Sequence, residues 1–289
     1  MKKWGFLIIF FLCLGLAAVK IVPFFQDKPN IETFEDDNVD SLVDSGDIQK
    51  VKVTEKQIHQ GNLLLVNHDH AVDPENIKSD IVNLASHKEL IKGFSLFDNK
   101  TYLSEEIARK FSDMLLDAKE ESDFNFFITS GFRDFDEQNE LYQEMGSNRA
   151  LPAGYSEHNL GLSLDVGTTQ MIMEKAPEGK WIKKNAWEYG FVVRYPEDKT
   201  DITGIQNEPW HIRYVGLPHS AIMEEKGFVL EEYLDYLKEK KKVSAMVEGE
   251  NYTISYYPFS EGMTINIPKN HEYEISGDNV NGVIVTVYE

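Results

Sequence analysis

The chain has a single cysteine, Cys13, in 289 residues, which excludes an internal disulfide and a thiolate metal cluster. Positive charge is also scarce: 29 Lys and Arg stand against 49 Asp and Glu, a formal net charge of −20. Nucleic acid is thereby disfavoured as a partner, because its phosphates need a basic footprint. Loose adsorption to an anionic lipid surface is disfavoured on the same ground, and the acidity reads first as solubility. Internal repeats are absent, and low complexity is confined to one acidic segment. Long hydrophobic runs are absent too, with one exception. Lys2 and Lys3 precede an apolar run from Trp4 to Val19, which Lys20 breaks before Ile21–Phe25. This is either a secretory signal cut near Ala17 or an uncleaved anchor, since a span needs about 20 apolar residues. Lysines on the short side place that end inside and the bulk outside. The expectation is a cell-membrane protein with one span and an extracellular body, contacting the membrane through residues 1–25; the alternative is a secreted protein.

From Asp27 to Asp47 there are eight acidic residues and one lysine, too little apolar surface to offset chain entropy. Residues 26–50 therefore read as a tether. The body, 51–242, mixes periods. Gly61–Asn67 (GNLLLVN) reads as a buried strand. Ser104–Lys119 reads as a helix, with Ser104 as its cap, Glu105 and Glu106 in the first turn, and Ile107, Phe111, Met114 and Leu115 as its stripe. Phe124–Arg133 reads as a strand and turn, and Phe135–Met145 as a helix with Gln138 and Tyr142 on one face. WIKKNAWEYG reads as a helix stopped by Gly190, FVVRYP as a strand, and Leu217–Lys242 as mostly helix. From Val243 onward the pattern is all strand, so 243–289 reads as a small β appendage packed on the body.

Within GYSEHNLGLSLDVG (Gly154–Gly167), Leu162 and Leu164 alternate with Ser163 and Asp165, the period of a half-buried strand. A carboxylate there needs a cation, because burying it alone is costly. His158 precedes it and His211 follows in EPWH, giving two imidazoles and one acid. That is the ligand count of a catalytic zinc with one open position. Glu208, three residues before His211, is an acid left over to move a proton. Each piece alone has a plainer reading: Asp165 at a turn, E-x-x-H by chance. His59, His68, His70, His87, His219 and His271 are assigned to surface or core, and His68-x-His70 lacks a third donor.

Together, SEHNLGLSLDVG and EPWHIRYVG resemble the zinc D-Ala-D-Ala carboxypeptidase family of bacterial cell-wall enzymes, in its VanY branch. SGFRDFDEQNELY, NAWEYGFVVRYP and TGIQNEPWHIRYVG carry the same likeness, from about Gln60 to Lys240. Ser163 stands where many members have alanine, another small residue. The resemblance implies an α+β fold with a central antiparallel sheet flanked by helices. It implies one Zn2+ per chain on His158, Asp165 and His211, with Glu208 as general base and acid. It brings Arg133 to the substrate, either at the oxyanion or at the terminal carboxylate through its planar fork; the structural alternative is a bridge to Asp134 or Asp136. Ser156 is implied as a hydrogen-bond partner of the peptide. Gln138 and Tyr142 are candidates to line the cleft, or else belong to the core or surface face of their helix. Trp210 is a candidate to wall the cleft; Arg213 and Tyr214 either support the ligand imidazole or simply pack. The implied partner is a peptidoglycan precursor pentapeptide, whose trimming removes the dipeptide that vancomycin grips. The rival readings are an L,D-carboxypeptidase acting on tetrapeptides, an endopeptidase, and a non-catalytic binder of wall peptides. Chemistry of the serine type is not expected.

Overall fold

A computed structural model of the chain describes residues 32–35, 48–146 and 150–289. The expected anchor, 1–25, lies outside the described residues, as does the expected tether apart from 32–35 and 48–50. In chain order the strands are β1 (Glu32–Glu35), β2 (Ile48–Lys52), β3 (Ile81–Asn83), β4 (Phe94–Leu96), β5 (Tyr102–Ser104), β6 (Phe126–Ser130), β7 (Ser163–Thr168), β8 (Phe191–Tyr195), β9 (Glu208–Tyr214), β10 (Lys242–Val247), β11 (Glu250–Pro258), β12 (Thr264–Pro268), β13 (Glu272–Gly277) and β14 (Gly282–Tyr288). The helices of two turns or more are α1 (Glu105–Glu121), α2 (Phe135–Met145), α3 (Pro177–Asn185), α4 (His219–Lys226) and α5 (Leu230–Lys240).

The first sheet has the order β4-β6-β7-β9-β8, antiparallel throughout except for the parallel pair β4 and β6. One face is covered by α1, which begins where the Ser104 hydroxyl accepts from the Ile107 amide. The buried stripe of α1, Ile107, Phe111, Met114 and Leu115, joins Phe126, Ile128, Leu164, Val166, Phe191 and Ile212 in one core. Each such side chain stabilises the fold by about 1.5–3 kcal/mol through burial. After α3 the chain turns at Gly190, whose φ of +83° is one that a side chain would resist, and enters β8. The sheet face away from α1 carries Asp165 and His211, with aromatic rings beside them.

The second sheet has the order β1-β10-β11-β14-β13, and β12 pairs with β2 in a separate ladder. Four residues read as tether, Glu32–Glu35, are therefore a strand: β10 presents an open edge, and their backbone completes it. The strands after Val243 also share a core with the body, where Val243, Ala245, Ile254 and Ile284 pack with Ile222, Leu230, Leu234 and Leu237.

Gly61–Asn67 is buried but is not a strand. Leu64 and Val66 point into the first core, while Leu63 and Leu65 point into the second. Alternation is present because each face has a core to meet. The ladder is missing because the backbone bonds elsewhere: the Leu63 amide to Ser276 Oγ, the Leu65 amide to the Asp278 carbonyl, and the Asn62 and Leu64 carbonyls to Arg213.

Candidate metal centre

Two neighbouring strands and one turn carry the cluster. On β7, Leu164 and Val166 enter the core, so Asp165 projects from the opposite face. Strand β9 runs antiparallel with His211 directly across from Asp165, a pairing that brings side chains into contact. His158 comes from the turn Glu157–Asn159, where Ser156 Oγ accepts from the His158 amide at 3.4 Å. Buried Asn159 holds that turn, accepting from the Gly154 amide and donating to the Arg133 carbonyl.

The His158 Nδ1–H donates to the Gly131 carbonyl at 2.6 Å, leaving Nε2 free, 3.4 Å from Asp165 Oδ2. His211 is oriented the other way. Its Nε2 lies 3.3 Å from Glu157 Oε2, and its Nδ1 lies 3.1 Å from Asp165 Oδ1. One ligand atom from each of His158, Asp165 and His211 falls within 4.8 Å of the others. Among the described residues this is the single such group. Glu208, at the start of β9, places Oε2 4.0 Å from His211 Nδ1 and is partly exposed.

The electrostatics follow from burial and neighbours. Burial lowers His158, helped by the Arg133 charge, to about 4 despite Asp165. Burial also pulls His211 down, but hydrogen bonds to Asp165 and Glu157 outweigh it and raise His211 to about 9. Burial would raise Asp165, yet the two imidazoles hold it well below the usual carboxylate range. Glu208 is raised, chiefly by burial, with His211 opposing. Two imidazoles and a carboxylate, each imidazole with its second nitrogen already occupied, are the donor set and outer support that zinc takes. The residues present fit the ion.

Glu157 is the side chain that the sequence reading missed. Its Oε1 accepts from Arg194 Nε and Arg213 Nη1, both at 2.8 Å, while Oε2 faces His211. Arg194 in turn makes two bonds to Glu231 on α5, at 2.8 and 2.7 Å. Arg213 therefore supports the imidazole through Glu157 rather than directly. Tyr214 does not touch it and packs on Phe191 instead. The ring that does cover His211 is Tyr195, with centroids 4.9 Å apart.

Arg133 donates from Nη1 to Gln138 Oε1 at 2.7 Å, and Gln138 Nε2 donates to the Leu151 carbonyl at 2.7 Å. Gln138 is thus buried and fully engaged as a brace for Arg133, not as a lining of open cleft. Asp134 caps α2 instead of bridging to Arg133. The Arg133 Nε is buried with no hydrogen-bond partner among the described residues. Burial pulls the guanidinium down, with Asp165, Glu137 and Glu208 opposing. Tyr142 lies half-buried one turn beyond Gln138, and Trp210 is exposed beside His211.

Residues 100–217 match the family model described as VanY, D-alanyl-D-alanine carboxypeptidase. A D-alanyl-D-alanine carboxypeptidase of Enterococcus faecium is 57% identical over 293 residues, covering 100% of this chain and 97% of the relative. Among solved structures, the vancomycin resistance D,D-dipeptidase VanXYg, in complex with a D-Ala-D-Ala phosphinate analog, aligns with a TM-score of 0.73 and 31% identity. That alignment covers 84% of this chain and 100% of the other. The LD-carboxypeptidase LdcB aligns with a TM-score of 0.53 and 28% identity over 66% of this chain and 94% of its own.

Proposed function

The chain belongs to the VanY family of D-alanyl-D-alanine carboxypeptidases, and from that premise we propose a zinc D,D-carboxypeptidase acting on peptidoglycan precursor pentapeptides. It removes the C-terminal D-alanine from ends that read D-Ala-D-Ala. One zinc ion is assigned to His158 Nε2, Asp165 and His211 Nδ1; when bound, it supplies Lewis acidity at neutral pH. Glu208, free of that ligand set and raised by burial, takes the proton of the attacking water and delivers it to the departing D-alanine amine. Arg133, braced by Gln138, offers its planar fork to the terminal carboxylate. Ser156 is assigned a hydrogen bond to the peptide and Trp210 a wall of the cleft. The proposed zinc donors and Glu208 all lie within residues 51–242, and the β region 243–289 packs on that body through a shared core. No helix among the described residues is long and apolar enough to cross a membrane. The site of action is the outer face of the membrane, with residues 1–25 as anchor or export signal. Trimming there lowers the supply of the dipeptide that glycopeptides bind, a contribution to vancomycin resistance.

The observation that carries this reading is the convergence of three metal donors with the Glu208 carboxylate 4.0 Å from one of them. The likeness to LdcB keeps an L,D-carboxypeptidase as the second reading. One assay decides between them. Pentapeptide and tetrapeptide stems are incubated with the protein, with and without a chelator, and with Glu208→Gln. Release of D-alanine from the pentapeptide alone, abolished by chelation and restored by zinc, is expected. The Glu208→Gln protein should keep its zinc and lose at least about a hundredfold in kcat. Turnover near the wild-type rate in that variant removes Glu208 from the role.

A further inference from the structure

The Asp165 face of the first sheet does not end at the metal donors. Phe97, just past the end of β4, is 73% exposed, the most exposed large apolar side chain described. Its amide donates to the Ile128 carbonyl of β6, which fixes it beside that strand. Its ring stacks on Phe127 at 6.1 Å between centroids and 29° between planes. Phe127 pairs with Gly167 of β7, and a Cβ added at Gly167 would lie 2.7 Å from the Phe127 ring. Gly167 has an ordinary extended backbone, so the glycine is required for space: it lets an aromatic ring lie flat across β7. Asp165 and Gly167 are two apart on one strand and share a face. The two rings therefore form a shelf that begins over Gly167, about 7 Å along β7 from Asp165 at 3.3 Å per residue, and extends outward to Phe97.

Direction along β6 says what the shelf takes. Ser130 pairs with Asp165, so the donors sit opposite Ser130. Beyond Ser130 the Gly131 carbonyl accepts from His158, and the Arg133 amide donates to the His158 carbonyl. Arg133 is therefore anchored on the His158 side of Asp165, while Phe127 lies on the Gly167 side. A peptide whose terminal carboxylate meets Arg133 and whose scissile bond meets the donors runs its upstream residues toward Phe127 and Phe97. We propose that Phe97 and Phe127, with Gly167 cleared beneath them, form a subsite for the aliphatic side chain of the residue preceding D-Ala-D-Ala. This rests on the carboxypeptidase reading and on Arg133 as the carboxylate grip. Flat apolar rings, exposed on one side, favour a long methylene stem over a small or charged side chain, because the stem covers them.

The test compares Nα,Nε-diacetyl-Lys-D-Ala-D-Ala with Nα-acetyl-Gly-D-Ala-D-Ala on the full chain loaded with zinc; acetylation of Nε removes charge and leaves the stem. The wild type is expected to favour the lysine peptide by about tenfold in kcat/KM. Phe97→Ala should bring that ratio close to one, and Phe97→Trp should preserve it. Because Phe97 is exposed, the alanine variant folds, which circular dichroism checks. A ratio in Phe97→Ala equal to that of the wild type, or a wild type with no preference, overturns the subsite. Release of D-alanine from neither peptide by the wild type instead removes the carboxypeptidase reading beneath it.

Discussion

Glu157 has no access to water and three donors around it. Two buried arginines and the His211 ring converge on one carboxylate, so burial, which would raise it, loses and Glu157 is held well below the usual range. Its work is to fix the edge that His211 presents: with Nε2–H taken by Glu157, Nδ1 is turned toward Asp165. Glu157→Gln keeps the shape but strips the charge from between Arg194 and Arg213. Breaking a buried pair in this way costs about 3–5 kcal/mol of stability. Zinc affinity should fall about 10–100-fold, read by competition with a chromophoric chelator. Affinity unchanged from wild type would show that His211 is positioned without it. His158, Asp165, Glu208 and His211 were legible as a group because spacing and residue type sit within two short motifs. Glu157 stands beside His158 in one of those motifs and still went unread. Its partners Arg194 and Arg213 are 37 and 56 residues away, and only the fold brings them together.

At the scale of elements, α4 and α5 are joined to β14 by one buried imidazole. His219 opens α4, takes Tyr233 of α5 at 2.7 Å on Nδ1, and meets Thr286 of β14 at 3.0 Å on Nε2. Burial lowers its pKa to about 3. In the unfolded chain the value is about 6.5. Between these limits the unfolded state binds the extra proton, so stability rises with pH and is lost as pH falls below about 6.5. Urea melts of His219→Gln and wild type should show a stability cost at pH 7 that shrinks by about 2 kcal/mol by pH 5. A cost independent of pH would mean that His219 is not neutral in the fold. The sequence showed where these helices lie but assigned His219 to the generic histidines, since its two partners belong to other elements. Local signals served better where one residue decides: Ser104 starts α1 and Gly190 ends the run after α3. They failed at Gly61–Asn67, where an apolar alternation met two cores instead of two neighbouring strands.

For the whole molecule, Ile31–Glu289 form one unit, and the C-terminal strands are bound into it from both ends of the chain. β1 and β2 pair with β10 and β12, so residues early in the sequence complete the late β region. Removing 243–289 bares Leu63, Leu65, Ile222, Leu234 and Leu237 at once. Calorimetry of residues 31–289 should give one cooperative transition, and the chain ending at Lys242 should give none. Two separated transitions, or D-alanine release by the shortened chain, would show an appendage that folds apart. None of this pairing was visible in the sequence, because strand periodicity tells which face is buried and not which strand lies alongside. The run from Leu63 to Val66 draws the strictest consequence. It works as a seam stitched alternately to two cloths, so losing or gaining one residue just before it would hand every leucine to the wrong side. Descendants of this chain should therefore vary the seam by exchanging letters and keep its count of letters fixed.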